Sequence, residues 1–319
     1  MRIMKKVLLT GSTGFVGNSL RTALRLNYSL LATSRLTQMM SDGSQIIGIG
    51  DLSAETRWTT LLKDVDIVVH VAGRAHKLND RHEDPLTAFR KVNVDATLNL
   101  ARQAADCGVK RFIFISSIGV HGSVTNNSYL SERSPLNPHA DYAVSKLEAE
   151  KGLQDISSGS AMEVVVLRPP LIYAGNAPGN FGLLLKLIAS GAPLPFLNVD
   201  NKRSMVALEN FVDLVQICLE HDAAANRTFL VSDGVDVSTT QIIQYIARGM
   251  GRDARLFYLP DMFVRMGAAL LGRKTTYEQL YGSLAIDSRM VRDILSWCPP
   301  MSPEEALFKA GEDYVSRGR

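Results

Sequence analysis

Residues 7–17, VLLTGSTGFVG, constrain the fold more than any other stretch of this 319-residue chain. A short apolar run breaks into Gly11, Gly14 and Gly17, spaced three apart, where a β-like pattern passes into a helical one. That order predicts a strand, a tight turn and a helix built as one unit. In such a unit Gly11 permits the turn, Gly14 lets the backbone approach a pyrophosphate, and Gly17 lets the helix close on the strand. The free N–H groups and the dipole of the helix N-terminus then favour an anion. The stretch therefore predicts a dinucleotide site.

The pattern continues for some 170 residues. KKVLLTG, SLLATSR, SQIIGIGDL, DVDIVVHVAG, KRFIFISS and MEVVVLRPPLIY read as strands, and SLRTALRL and ATLNLARQAADCG as helices, the latter ending on Gly108 as a C-cap signal. Near-continuous β-branched runs indicate strands buried on both faces. Strands alternating with helices predict an α/β fold, a doubly wound parallel sheet of Rossmann type, occupying mainly residues 1–174. After Tyr173 the chain turns rich in Gly, Pro and Asn between helical segments. Residues 175–319 are expected to form mainly a smaller substrate-binding domain, with a segment near 205–235 returning through the strand RTFLVSD.

Composition excludes several classes. A net charge of +3 with no basic block gives no footprint for nucleic acid. The apolar run near the start is too short for a signal peptide and reads as the first strand. MFVRMGAALLG, residues 262–272, is interrupted by Arg265 and falls short of a membrane span, so it reads as a buried or interface helix. Three scattered cysteines, Cys107, Cys218 and Cys298, indicate a reducing compartment, and the cytoplasm is the expected location.

An acidic residue ending the second strand would bind the ribose 2′-hydroxyl of NAD. Here that strand ends in Ser34 and Arg35, and an arginine suits the 2′-phosphate of NADP, with a solvated surface role as the alternative. Asp51 ends the third strand, placed either to accept from the adenine amino group or to form a turn. In DYAVSK, Tyr142 and Lys146 are four apart and share a helix face. A lysine ammonium lowers the pKa of a nearby phenol, so the pair can move a proton at a substrate hydroxyl while hydride moves at carbon. Ser116 and Ser117 close a buried strand at the sheet's carboxyl edge, where such sheets bind ligands.

Taken in order, Gly11-x-x-Gly14-x-x-Gly17, HVAG at residues 70–73, Asn93, the serine pair, Tyr142-x-x-x-Lys146 and LRPPLIY resemble the extended short-chain dehydrogenase/reductase family, in its nucleotide-sugar branch of UDP-glucose 4-epimerase-like proteins and 4-keto-sugar reductases. The resemblance covers nearly the whole chain. It implies Ser117, Tyr142 and Lys146 as the catalytic set. It implies NAD or NADP held by Gly11, Thr13, Gly14, Phe15, Val16, Gly17, Arg35, Asp51, Leu52, Val71, Ala72, Gly73, Asn93, Ser116, Tyr142, Lys146 and Pro169. It implies a UDP-linked sugar touched by Arg74, His76, Ser117 and His121, with Asn180 and Arg203 on the diphosphate, and a homodimer through the helices carrying Asn93 and Tyr142.

Two departures matter. His121 replaces the family's tyrosine, altering expected sugar contacts, and Ile118–Gly119 stand where dehydratases carry Asp-Glu, which argues against 4,6-dehydration. His76 and His82 lack metal-ligand spacing. Epimerase and 4-ketoreductase stay open, with Arg35 leaning toward NADP and net reduction. A reductase of a non-sugar alcohol would leave Asn180 and Arg203 without an anion, and a non-catalytic NADP-binding protein would not need the Tyr142–Lys146 pair.

Overall fold

The computed structural model describes residues 4–41, 43–74, 84–126, 128–270, 272 and 274–318. Ten strands occur among them: β1 Lys6–Thr10, β2 Ser29–Ser34, β3 Gln38–Met39, β4 Gln45–Gly48, β5 Ile67–His70, β6 Arg111–Ile115, β7 Glu163–Arg168, β8 Ile172–Tyr173, β9 Val206–Ala207 and β10 Thr228–Leu230. Eight make one sheet in the order β10-β7-β6-β5-β1-β2-β4-β3, parallel except for the antiparallel β3 edge. The order reverses direction at β1, so the glycine turn after β1 lies at the crevice where doubly wound sheets take ligands.

Side-chain alternation explains the layers. Val7, Leu9, Ile67, Val69, Ile113, Ile115, Val165 and Leu167 enter one core with Leu20 and Leu24 of the helix Phe15–Leu24 and Phe211 and Val215 of the helix Leu208–Glu220. Their neighbours Leu8, Val68, Phe112, Phe114, Val164 and Val166 enter the opposite core with Leu100 of the helix Ala96–Asp106 and Leu153 of the helix Asp141–Ser158. Both faces are thus covered, which is why these strands read as continuous apolar runs. At the end of Ala96–Asp106, Gly108 takes φ +77°, and the amides of Gly108 and Val109 return to Ala105 and Ala104.

A third core gathers Tyr173, Phe181, Leu185, Ile243, Ile246 and Leu307 from the C-terminal half. RTFLVSD returns to the sheet as β10 beside β7. MEVVVLRPPLIY is not one strand. Pro169 and Pro170 offer no N–H for a ladder, so β7 ends at Arg168, and β8 pairs with β9 in a separate two-stranded sheet. The segment expected to form a buried or interface helix gives the helix Asp261–Leu270, which buries none of its residues; Met262 and Leu270 are exposed. No described helix is long and apolar enough to cross a membrane.

Candidate active site

The glycines do what their spacing requires. Gly11 has φ +69°, and a Cβ there would meet Ala72 Cα at 2.8 Å. A Cβ on Gly17 would lie 2.0 Å from the Gly11 carbonyl oxygen, so only glycine allows the helix to start this close to the turn. Gly14 is the N-cap of Phe15–Leu24, with no side-chain cap and no acidic residue in the first turn. The N-terminal N–H groups are left for an anion. Together with Thr13, Phe15, Val16, Leu52, Val71, Ala72, Gly73 and Arg74 these residues line a cavity of about 790 Å³, large enough for a dinucleotide.

Arg35 and Asp51 line the far end of this cavity and pair at 3.2 Å, both largely exposed. Ser34, Leu36, Gln38, Lys91 and Val92 also line it, residues that no motif marks in the sequence.

Asn93 and Lys146 lie beside Gly73 of the cavity wall. Gly73 follows β5, and a Cβ there would meet Asn93 Oδ1 at 3.1 Å and Lys146 Nζ at 3.6 Å. Asn93 sits in the π-helical turn Lys91–Asp95, a distortion frequent at functional sites. Its Oδ1 accepts from the Arg74 amide at 2.8 Å, and its Nδ2 donates to the Arg74 carbonyl and to Ser145 Oγ at 3.2 and 3.0 Å. Ser145 Oγ in turn donates to the Tyr142 carbonyl at 2.7 Å. Asn93, 1% exposed, therefore ties the loop after β5 to the helix Asp141–Ser158.

Lys146 is buried. Its Nζ donates to the Ile115 carbonyl at 2.8 Å and lies 4.5 Å from the Phe114 ring centroid and 5.9 Å from that of Tyr142. Phe89 meets the Tyr142 ring edge-on at 6.0 Å. Burial pushes Tyr142 up to about 12 and Lys146 down to about 8. The lowering of Tyr142 expected from its lysine is not seen, because the ammonium sits over the ring faces and desolvation of the phenol dominates. At neutral pH the Tyr142 phenol therefore carries its proton.

Ser117 is half-buried and caps the 3₁₀ turn Ile118–Val120, its Oγ accepting from the Gly119 amide at 3.1 Å. The Ile118 amide donates to Pro169 O, which fixes the serine at the sheet edge. Two neighbours of Ser117 are engaged within the protein. Ser116, 3% exposed, donates its hydroxyl hydrogen to Glu150. His121, 6% exposed, has Arg168 Nη1 at 2.8 Å from Nε2 and the Pro135 carbonyl at 3.2 Å from Nδ1, so both ring nitrogens have partners within the protein. Glu150 and Arg168 were missed by the sequence reading, although Glu150 completes the Tyr142, Lys146 stripe at a further spacing of four.

On the substrate side, the Arg74 guanidinium lies 5.7 Å from the Phe89 ring centroid. His76 and His82 lie outside the described residues. Asn180, at the start of the helix Gly179–Ser190, is exposed and donates to Gln279 at 2.5 Å. Arg203 is buried and donates to the Gly282 carbonyl at 3.3 Å, with no carboxylate in salt-bridge range among the described residues; burial lowers its pKa.

A family model described as "NAD dependent epimerase/dehydratase family" matches residues 7–232. A UDP-glucose 4-epimerase of Vibrio cholerae is 38% identical over 98% of this chain and 97% of its own length. Among solved structures, UDP-glucuronic acid 4-epimerase from Bacillus cereus in complex with NAD superposes with a TM-score of 0.79 at 21% identity, covering 98% of this chain and 96% of that one. RMD from Pseudomonas aeruginosa complexed with NADPH gives 0.73 at 21% identity, covering 98% of this chain and all of the other. These structural likenesses establish the fold, and the first two comparisons establish more. With the glycine cradle, the Tyr142–Lys146 pair and a match over most of its length, the chain belongs to the NAD dependent epimerase/dehydratase family.

Proposed function

We propose that this NAD(P)-dependent enzyme acts at C4 of a UDP-linked sugar through a 4-keto species, as a 4-epimerase or a 4-ketoreductase. The observation that carries this reading is the convergence of Lys146 and Asn93 at Gly73, with the Tyr142 ring centroid 5.9 Å from the Lys146 ammonium, on a chain 38% identical to a UDP-glucose 4-epimerase over 98% of its length.

The uncapped helix start, Gly11, Gly14 and Gly17 would hold the pyrophosphate, and Lys146 the nicotinamide ribose. The dinucleotide supplies a hydride acceptor or donor. Tyr142, protonated at neutral pH, gives its proton to the C4 oxygen when a ketone is reduced. Taking that proton in the oxidative direction needs a phenolate, which burial disfavours and the Lys146 charge across the ring face supports. Ser117 would hold the same oxygen by donating its hydroxyl hydrogen. Arg203, a buried cation with no carboxylate in salt-bridge range among the described residues, suits a substrate diphosphate.

Arg35 favours NADP and the ketoreductase version, tempered by Asp51 at 3.2 Å, which would share the guanidinium with a 2′-phosphate. A cytoplasmic homodimer completes the reading.

The test is to denature the purified protein, identify the released nucleotide, and assay interconversion of UDP-sugars. Retained NAD⁺ with C4 inversion supports the epimerase; an empty site that prefers NADPH supports the reductase. Tyr142→Phe should lower turnover by roughly 10²–10⁴-fold with dinucleotide affinity intact. Wild-type turnover in that variant would sink the mechanism.

A further inference from the structure

Glu150 follows Lys146 by four residues on Asp141–Ser158, so Tyr142, Lys146 and Glu150 share one face over two turns. Three donors converge on its buried carboxylate: Ser116 Oγ at the end of β6, and Nε and Nη2 of Arg168 at the end of β7, the latter two at 3.1 and 2.5 Å. Arg168 Nη1 donates to His121 Nε2, and His121 Nδ1 faces the Pro135 carbonyl. Those partners require the neutral imidazole with its proton on Nδ1, because a guanidinium can only donate.

We infer that Glu150 is the counter-charge that keeps Lys146 an ammonium inside this buried site, with Arg168 and His121 holding the carboxylate in place. The inference rests on Lys146 being the residue that meets the dinucleotide.

The surroundings of Nζ leave the task to Glu150. The Ile115 carbonyl and the Phe114 and Tyr142 rings are neutral. His70, on β5, is held neutral by burial, with its pKa down to about 3. Around the site, Arg74 lies over Phe89, Arg90 is engaged by Glu148 at 2.6 Å, and Lys91 and Asp95 are exposed; Asp141 is at the start of the helix. Arg168 adds a second buried cation, and a guanidinium does not give up its proton. Without the Glu150 charge, Lys146 and Arg168 would be two buried cations with no ion-pair partner among the described residues, and Lys146 is the one able to yield. Burial already brings Lys146 down to about 8, with Glu150 acting in the opposite direction.

The experiment is a fluorescence titration of NADH or NADPH binding from about pH 6 to about pH 10. Wild-type affinity should fall as pH rises through the region where Lys146 loses its proton. Glu150→Gln should move that midpoint down by roughly one pH unit, a tenfold change in proton concentration. Glu150→Asp, which keeps the charge, should restore it. Arg168→Met, which removes the competing cation, should move it up and supplies the comparison if Glu150→Gln does not fold. A Glu150→Gln protein with uniformly weaker binding and an unmoved midpoint overturns the inference alone. A wild-type affinity without pH dependence overturns the Lys146 assignment and the inference with it.

Discussion

Gly17→Ala perturbs the phosphate cradle without changing a charge. A Cβ at this position lies 2.0 Å from the Gly11 carbonyl oxygen, 2.8 Å from its carbon and 3.1 Å from Ser12 Cα. All three are backbone atoms, so no side-chain rotation relieves the clash. Gly11 is itself packed on Ala72, which stops the turn from retreating. Ordinary contact begins at 3.4 Å, so the helix start must move by about 1.4 Å (3.4 − 2.0). Overpacking of this kind costs about 1–3 kcal/mol. Each kcal/mol lowers the thermal midpoint by roughly 2–4 °C in a chain of this order of size. The same displacement misaims the N–H groups that meet the pyrophosphate, and losing one good charge-assisted hydrogen bond weakens binding by about tenfold or more. Thermal unfolding with and without NADH separates the two effects. At about 100 times the wild-type Kd, ligand stabilises wild type by about 2.7 kcal/mol and a tenfold weaker variant by about 1.4 kcal/mol. A variant that unfolds earlier yet keeps the full ligand-dependent shift would refute the cradle argument and leave Gly17 a packing residue.

Arg35→Asp should lower the NADP-to-NAD affinity ratio by roughly tenfold or more, since one charge-assisted contact is lost and a repulsion added; an unchanged ratio returns Arg35 to the surface. His70 concerns stability. It is fully buried between Thr10 Oγ1 at 2.8 Å and Thr97 Oγ1 at 2.9 Å, and burial lowers its pKa from 6.5 to about 3. The unfolded chain therefore binds a proton below pH 6.5 that the folded chain refuses, so stability is present above that pH and is lost as pH falls, by up to about 1.4 kcal/mol per pH unit from this group. His70→Asn does not titrate, and its acid unfolding profile should be flatter between pH 6.5 and about 3; a slope equal to wild type would mean that other groups govern acid unfolding.

Much of this protein was legible from local pattern. The glycine spacing, the β-branched runs and the Tyr142–Lys146 interval are each set by short-range sterics or helix periodicity, and those survive without knowledge of the fold. The break of MEVVVLRPPLIY was also written locally, in its two prolines, but it went unread. Tertiary structure alone decided which polar side chains are spent on the protein itself. Ser116 and His121 stand in the motif beside Ser117, yet a carboxylate from Asp141–Ser158 and a guanidinium from β7, 34 and 47 residues away, occupy them. Likewise, the charge on Lys146 and the proton on Tyr142 depend on burial and on neighbours from other strands, and no spacing along the chain reports those. Hydrogen bonds and desolvation act through space, so spacing marks Tyr142 and Lys146 as candidates while the fold sets their protonation.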